Sequence, residues 1–141
     1  MVMTVDAITA LIQAGLPGAR ESGFVVLRVD EHDRLWCRMP YHPRQLRPGG
    51  TLSGPTMMAL ADAAMYACVL YHAGAEEMSV TQSLAINFLR RPEPSDLDAC
   101  VELLKAGRRS MTMDVRLYSG GDARLVAQAT GVYALPSSST L

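Results

Sequence analysis

Apolar and polar positions alternate with different periods along this chain, and the periods predict its secondary structure. Apolar residues recur at helical spacing over residues 5–14, which predicts a short amphipathic helix. Two β-favouring runs, at residues 24–29 and 34–39, flank a polar tetrapeptide and predict a hairpin. The next segment, residues 41–53, is rich in proline and glycine, so we expect an irregular loop there.

Residues 54–73 form the longest predicted helix. They are rich in alanine and methionine and contain no β-branched run, while Ser53 and Pro55 stand where an N-cap and a first helical residue are expected. Apolar side chains occupy every face of this segment, which is typical of a helix that is buried all round.

After this helix the apolar residues follow a period of two, which predicts strands. We expect four strands, in an antiparallel meander, near residues 79–89, 97–105, 110–118 and 125–134. Residues 137–141 are rich in serine and are expected to form a disordered tail. The order of these helices and strands along the chain predicts an α+β fold in which a long central helix is wrapped by a mostly antiparallel sheet of five to six strands.

The length and the net charge of the chain limit the classes of protein to which it can belong. At 141 residues the chain fits one domain, and a formal net charge of -1 gives no electrostatic reason to expect a nucleic-acid partner. No apolar run is long enough to span a membrane, because Asp62 interrupts the longest one. Cys37, Cys68 and Cys100 fit neither a disulfide framework nor a zinc motif, so we expect a cytoplasmic protein without a metal site.

The apolar central helix also predicts self-association. One sheet cannot cover a helix that is apolar on every face, so a second copy of the chain is expected to cover the rest. We therefore expect a homodimer or a tetramer.

Asp62 is the main candidate for chemistry. Between Arg47 and Glu76 no other Asp, Glu, Lys or Arg occurs. An ionised carboxylate in an apolar helix makes folding less favourable unless it is paired or hydrogen-bonded. A general base in a cleft is the functional interpretation, and a hydrogen-bonded acid with a structural role is the alternative.

The start of the same helix offers a second candidate. Free backbone N–H groups and the positive end of the helix dipole gather at Ser53, Gly54 and Pro55. The Gly54 N–H is therefore suited to an oxygen that becomes negative during acyl transfer. An ordinary helix cap explains the same three residues.

Longer motifs resemble a known family. The segments GTLSGPTMMALADAAMYACV and VTQSLAINFLRRP, with the closing VAQATGVYALP, are similar to hotdog-fold thioesterases of the phenylacetate-degradation (PaaI-like) group. The resemblance spans residues 49–136. In that family a His-Gly-Gly motif opens the central helix, and an acid nine residues after the histidine activates water for attack on a thioester. Ser53 and Asp62 occupy these two positions here.

The resemblance implies hydrolysis of an acyl-CoA thioester to a free acid and coenzyme A. No further cofactor is implied, because coenzyme A is part of the substrate. Asp62 would be the general base or nucleophile, and the Gly54 amide would polarise the thioester carbonyl. Thr81 matches a Ser or Thr that usually approaches from the partner subunit, which implies active sites at a subunit interface.

Three positions depart from the family pattern. Ser53 replaces the histidine, Pro55 replaces the second glycine and has no N–H, and Arg47 stands where some relatives use an asparagine to position water. The Gly54 donor survives these changes. One hypothesis is that Arg47 directs the activity to a substrate that carries a carboxylate.

Basic residues after the predicted strands are candidates for substrate binding. In related hotdog enzymes, residues in such places contact the phosphates of coenzyme A through charge-assisted hydrogen bonds. The resemblance implies this role for Arg90, Arg91, Lys105 and Arg108. Solvated charges in turns explain the same residues equally well.

Two other functions stay open at this point. A hotdog enoyl-CoA hydratase or dehydratase needs a histidine paired with the acid, and the helix start has none. A non-catalytic acyl-CoA-binding module fits the loss of that histidine but gives Asp62 no reason to lie in an apolar helix.

Overall fold

A computed structural model of the chain describes residues 3–74 and 78–136. Helix α1 (Val5–Gly15) confirms the predicted N-terminal helix and extends it by one residue. Helix α2 (Ala19–Ser22) is absent from the sequence prediction, because four residues are too few to show a helical period. The predicted tail at residues 137–141 lies outside the described residues.

The strands follow the predicted runs closely, with small differences at their ends. In chain order they are β1 (Val25–Val29), β2 (Leu35–Met39), β3 (Leu46–Arg47), β4 (Thr51–Leu52), β5 (Val80–Phe88), β6 (Leu97–Ala106), β7 (Ser110–Ser119) and β8 (Leu125–Ala134). Six of them form one antiparallel sheet in the order β1-β2-β6-β7-β8-β5, and β3 pairs with β4. Hairpin pairing of β1 with β2 confirms that prediction.

The predicted four-strand meander is wrong in one respect. Strands β6, β7 and β8 are consecutive neighbours, but β5 pairs with β8 at the edge of the sheet and not with β6. The segment after β5 contains Pro92 and Pro94 and forms no tight turn. Its first residues hydrogen-bond to the start of β8 instead, because the N–H groups of Leu89 and Arg90 both donate to the Val126 carbonyl oxygen.

The loop predicted at residues 41–53 is more regular than expected. It contains a 3-10 helix at Pro43–Gln45 and the β3–β4 hairpin. Gly49 and Gly50 adopt φ angles of 103° and 77° in the hairpin turn, a region that glycine enters without a steric penalty. These two glycines, which suggest irregular structure in the sequence, form a defined turn.

Helix α3 (Gly54–Ala73) has the predicted bounds, but it is not buried all round. It packs on one face of the sheet, and α1 packs against it as well. Its first two turns leave one stripe open to solvent in the single chain. We call the residues at positions i, i+3, i+4 and i+7 of this stripe the open stripe: Pro55, Met58, Ala59 and Asp62.

Strand β8 lies unusually close to α3. A Cβ atom on Gly131 would overlap with Sδ of Met65 and would lie 3.2 Å from the Ser83 carbonyl oxygen. Glycine at this position therefore lets the helix approach the sheet, and this approach brings β8 side chains next to the middle of α3.

Candidate active site

Asp62 lies in α3 and accepts two hydrogen bonds on one carboxylate oxygen. Thr81 Oγ1 donates to Asp62 Oδ1 over 2.6 Å, and the Tyr133 phenol donates to the same atom over 3.0 Å. Within the described part of the chain, no hydrogen bond reaches Oδ2. One oxygen of the carboxylate is thus held in place, and the other is available to water or substrate.

The Thr81 contact is made within one chain. Strand β5 follows α3 along the chain, and a bulge between Thr81 and Ser83 alters the strand at this point. Thr81 thereby reaches Asp62 of its own helix. The family pattern implies that this hydroxyl approaches from the partner subunit, whereas here Thr81 and Asp62 of one chain are in contact.

Tyr133 is a member of the site that the motifs did not reveal. Its side chain is 3% exposed, it lies directly opposite Thr81 in the β5–β8 register, and its ring stacks on Tyr66 at 6.0 Å. Burial raises the pKa of the Tyr133 phenol well above its ordinary value, and the charge of Asp62 adds to the increase. The only signal in the sequence is a large side chain among the small residues of β8.

Asp62 also borders a cavity of about 630 Å³. The cavity lies between the first turns of α3 and residues 16–22, and its walls are mainly apolar, with Phe24, Met39 and Ala63 among them. Neither the cavity nor the contribution of residues 16–22 follows from the sequence motifs, because both depend on how α1 packs against α3 and α2 packs against α1.

The start of α3 is capped as the sequence predicts. Ser53 Oγ accepts a hydrogen bond of 3.2 Å from the Thr56 N–H, so Ser53 is the N-cap. Gly54 is the first helical residue and Pro55 the second, one position later than expected. Among the described residues, none accepts a hydrogen bond from the Gly54 N–H.

Gly54 and three arginines border a second depression, of about 430 Å³, which we call the basic groove. It is lined by Arg47, Arg90 and Arg91, and by Phe88, whose ring would lie 3.4 Å from a Cβ on Gly54. The three arginines are exposed. The structure therefore places Arg47, Arg90 and Arg91 beside the Gly54 amide, and Asp62 does not line this groove.

Lys105 and Arg108 lie elsewhere. They stand at the β6–β7 turn, at the end of the sheet where β5 begins, whereas Arg90 and Arg91 follow the other end of β5. The nine residues of β5 span about 30 Å at about 3.4 Å per residue. Within one chain, the pair Lys105 and Arg108 is therefore far from the pair Arg90 and Arg91.

Gly54 and Asp62 are also too far apart to act on one carbonyl group from the same chain. They are eight positions apart in the helix, which corresponds to about 12 Å of rise. An oxyanion donor and the attacking group must each lie about 3 Å from the reacting atoms. A single chain therefore contains two separate halves of the expected site.

Three further predictions from the sequence concern the cysteines, a membrane-spanning helix and a metal site. Cys37, Cys68 and Cys100 are free and buried. In the described ranges, no helix is both long enough and apolar enough to cross a bilayer. The same residues contain no group of three or more His, Cys, Asp or Glu side chains placed to hold a metal ion.

The chain is similar to known thioesterases in sequence and in structure. The family profile described as "Thioesterase superfamily" matches residues 49–126. A candidate thioesterase from a Silicibacter species is 34% identical, with a TM-score of 0.84, and the match covers 97% of this chain and 94% of that one. No functionally curated protein matches significantly.

More distant structures share the fold. Thioesterase superfamily member 2 of zebra fish is 24% identical with a TM-score of 0.80, over 95% of this chain and 99% of that one. The PaaI protein of the Escherichia coli phenylacetic acid degradation operon is 19% identical with a TM-score of 0.75, over 90% and 94%. On the strength of the matched profile, the 34% identical relative and the helix wrapped by a six-stranded sheet, the chain belongs to the thioesterase superfamily and has a hotdog fold.

Proposed function

We propose that this thioesterase hydrolyses an acyl-CoA thioester to a free acid and coenzyme A, with Asp62 as the catalytic carboxylate. In a general-base route, Asp62 takes a proton from water, and the water oxygen attacks the thioester carbonyl carbon. The C–S bond then breaks, and the thiolate of coenzyme A receives the proton. In a nucleophilic route, the carboxylate attacks that carbon, the thiolate leaves, and water hydrolyses the resulting anhydride.

The observation that carries this proposal is the arrangement around Asp62. One carboxylate oxygen accepts hydrogen bonds from Thr81 and Tyr133, Oδ2 is unengaged, and the residue borders an apolar cavity. A fixed carboxylate beside a cavity can hold water or attack directly, because orientation of a reacting group lowers the barrier to the reaction. A purely structural acid has no need of a cavity.

We assign the oxyanion donor to Gly54 of a partner subunit. About 12 Å of helix rise excludes Gly54 of the same chain. The open stripe of α3 begins next to Gly54 and ends at Asp62. Pro55, Met58 and Ala59 are exposed in the single chain, and Asp62 is half-buried. Antiparallel apposition of two open stripes around a twofold axis would place each Gly54 beside the Asp62 of the other subunit.

The edge strand supports the same assembly. Among the described residues, nothing pairs with the outer edge of β5. Val80, Phe88 and Leu89, at or beside its ends, are 50–60% exposed. An unpaired edge flanked by apolar side chains is a surface that a second strand can cover. We propose a homodimer or a dimer of dimers with shared active sites.

We assign the two ends of the substrate to the two depressions. The acyl group would enter the apolar cavity next to Asp62, and coenzyme A would lie along the basic groove of the partner subunit, where Arg47, Arg90 and Arg91 can bind its phosphates. In an antiparallel assembly, Lys105 and Arg108 of one subunit would approach the end of β5 that leads to Arg90 in the other.

The acyl assignment is tested by narrowing the cavity. Ala59 lines it and belongs to the open stripe. Ala59→Phe should lower kcat/KM for long acyl-CoAs by about tenfold relative to short ones, since a loss of about 1.4 kcal/mol in transition-state binding has that effect. Ala10→Phe, on an exposed position of α1, is the control. Equal effects of Ala59→Phe on all chain lengths, in a variant whose solution mass equals that of the natural protein, would place the acyl group elsewhere.

The function itself is tested by release of free thiol from a panel of short, long and aromatic acyl-CoAs. The natural protein and Asp6→Asn, a control at an exposed aspartate, should turn over at equal rates. Asp62→Asn and Asp62→Ala should be slower by at least 100-fold. Hydrolysis at the natural rate by Asp62→Asn would refute the assignment.

The same panel separates the two alternatives. Tight binding of acyl-CoA without thiol release by the natural protein would indicate a binding module. Reversible hydration of an enoyl-CoA without thiol release would indicate a hydratase or dehydratase.

A further inference from the structure

Tyr133 has no part in the reaction steps above, yet it contacts the catalytic candidate at two points. Its hydroxyl lies 3.0 Å from Asp62 Oδ1 and 3.2 Å from the Asp62 backbone carbonyl oxygen. The single phenolic hydrogen can therefore be directed to the carboxylate while the hydroxyl stays against the helix backbone. Tyr133 is 3% exposed, so it has no direct access to a substrate.

We infer that Tyr133 is a positioning residue that holds the Asp62 carboxylate in the orientation required for attack on the thioester. This inference rests on the proposed function. Thr81 and Tyr133 both donate to Oδ1, from adjacent strands and opposite each other in register. Two donors on one oxygen fix both the rotation of the carboxylate and the identity of the oxygen that remains free.

The surroundings of Tyr133 make it a rigid support. Its ring stacks on Tyr66 with planes 11° apart, one helical turn beyond Asp62. Gly131, two residues earlier in β8, lets Met65 pack against the strand, so that the strand and the helix are held at close range. A buried ring held by stacking loses little entropy when its hydroxyl orients a neighbour.

The protonation state of Tyr133 suits a donor. Burial raises the pKa of the phenol, and the negative charge of Asp62 raises it further. The phenol therefore keeps its proton at neutral pH and can donate it to the carboxylate oxygen.

The first test is the kinetics of Tyr133→Phe, which removes the hydroxyl and keeps the ring. We expect kcat for acyl-CoA hydrolysis to fall about tenfold, KM to change less than twofold, and the melting temperature to stay within a few degrees. Tyr118→Phe, which removes a hydroxyl from the outer face of the sheet where Tyr118 stacks on Trp36, should leave all three values unchanged. An unchanged kcat in Tyr133→Phe would overturn the inference while the proposed function stands.

A double variant shows whether Tyr133 acts through Asp62. If it does, adding Tyr133→Phe to Asp62→Asn should slow the residual reaction no further, because the group that Tyr133 positions is already lost. The same tenfold decrease in both backgrounds would mean that Tyr133 acts independently of Asp62, and would contradict the inference.

A third measurement does not depend on activity. In NMR spectra of protein with ¹³Cζ-labelled tyrosine, the signal that is lost in Tyr133→Phe belongs to Tyr133. This signal should shift in Asp62→Asn, which replaces the charged acceptor of its hydrogen bond, and should not shift in the Asp6→Asn control. If it shifts but no acyl-CoA is hydrolysed by the natural protein, the contact exists and the proposed function fails; if it does not shift, the contact is wrong.

Discussion

At the scale of single residues, the site depends on how one carboxylate is held. Asp62 has a fixed oxygen and a free one, because Thr81 and Tyr133 both donate to Oδ1. Because these two hydrogen bonds fix which oxygen remains free, the loss of either hydroxyl should lower the rate about tenfold, which corresponds to about 1.4 kcal/mol of transition-state stabilisation.

Thr81 offers a direct prediction at this scale. Thr81→Ala removes the 2.6 Å hydrogen bond to Asp62 and should lower kcat about tenfold or more, whereas Thr81→Ser retains a hydroxyl and should keep most of the activity. Steady-state thiol release with both variants measures this. Equal losses in the serine and alanine variants would show that the hydroxyl has no role.

The sequence reveals Asp62 but not every residue that contacts it. A lone acid in an apolar helix is visible in a single chain, and the family motif adds Gly54 and Thr81. Tyr133 is 71 residues from Asp62, and the two meet only because β8 pairs with β5 and packs on α3. Such proximity is a tertiary property that local spacing does not encode.

At the scale of elements, the central helix is the best-predicted feature. Its bounds, residues 54–73, and its Ser53 cap follow from local composition and capping chemistry. The position of β5 is predicted wrongly, since the pattern of a strand specifies its faces and not its neighbour. The correct pairing is what brings Thr81 and Tyr133 together.

Gly131 sets the distance between β8 and α3, which gives a prediction for this scale. Gly131→Ala would force Met65 to move and should reduce the free energy of unfolding by about 1–3 kcal/mol, as measured by urea denaturation. Gly15→Ala is the control, because a Cβ there meets nothing within 4 Å. If both substitutions change stability equally, close packing at Gly131 is not required.

At the scale of the whole molecule, one chain carries two separate halves of the proposed active site. Asp62, Thr81 and Tyr133 form one half, and Gly54 with the arginines of the basic groove forms the other. The lysine and arginine of the β6–β7 turn lie at the far end of the sheet and also need a second subunit to approach that groove. Self-association is therefore expected to be a condition of activity.

The solution mass provides a prediction for the assembly. We expect light scattering to give a dimer or a tetramer at micromolar concentration, because the open stripe and the β5 edge are covered only in an assembly. A monomer that hydrolyses acyl-CoA at full rate would contradict the shared site.

The central claim, that acyl-CoA is hydrolysed between Asp62 of one subunit and Gly54 of another, is tested most directly in hybrid oligomers. Gly54→Pro removes the N–H and retains a φ angle compatible with a first helical residue, and Gly54→Ala adds a similar Cβ but keeps the N–H. Co-expressed, differently tagged subunits allow the hybrid to be isolated. A matching hybrid of Asp62→Ala with Thr81→Ala should be no faster than the Thr81→Ala variant, because those two residues belong to one half-site.

The decisive measurement is thiol release by the hybrid of Asp62→Ala and Gly54→Pro subunits. Each variant alone should be nearly inactive, Gly54→Ala should retain activity, and the hybrid should recover about half of the natural rate, since one of its two sites contains both native residues. A hybrid as slow as the two separate variants would contradict the account.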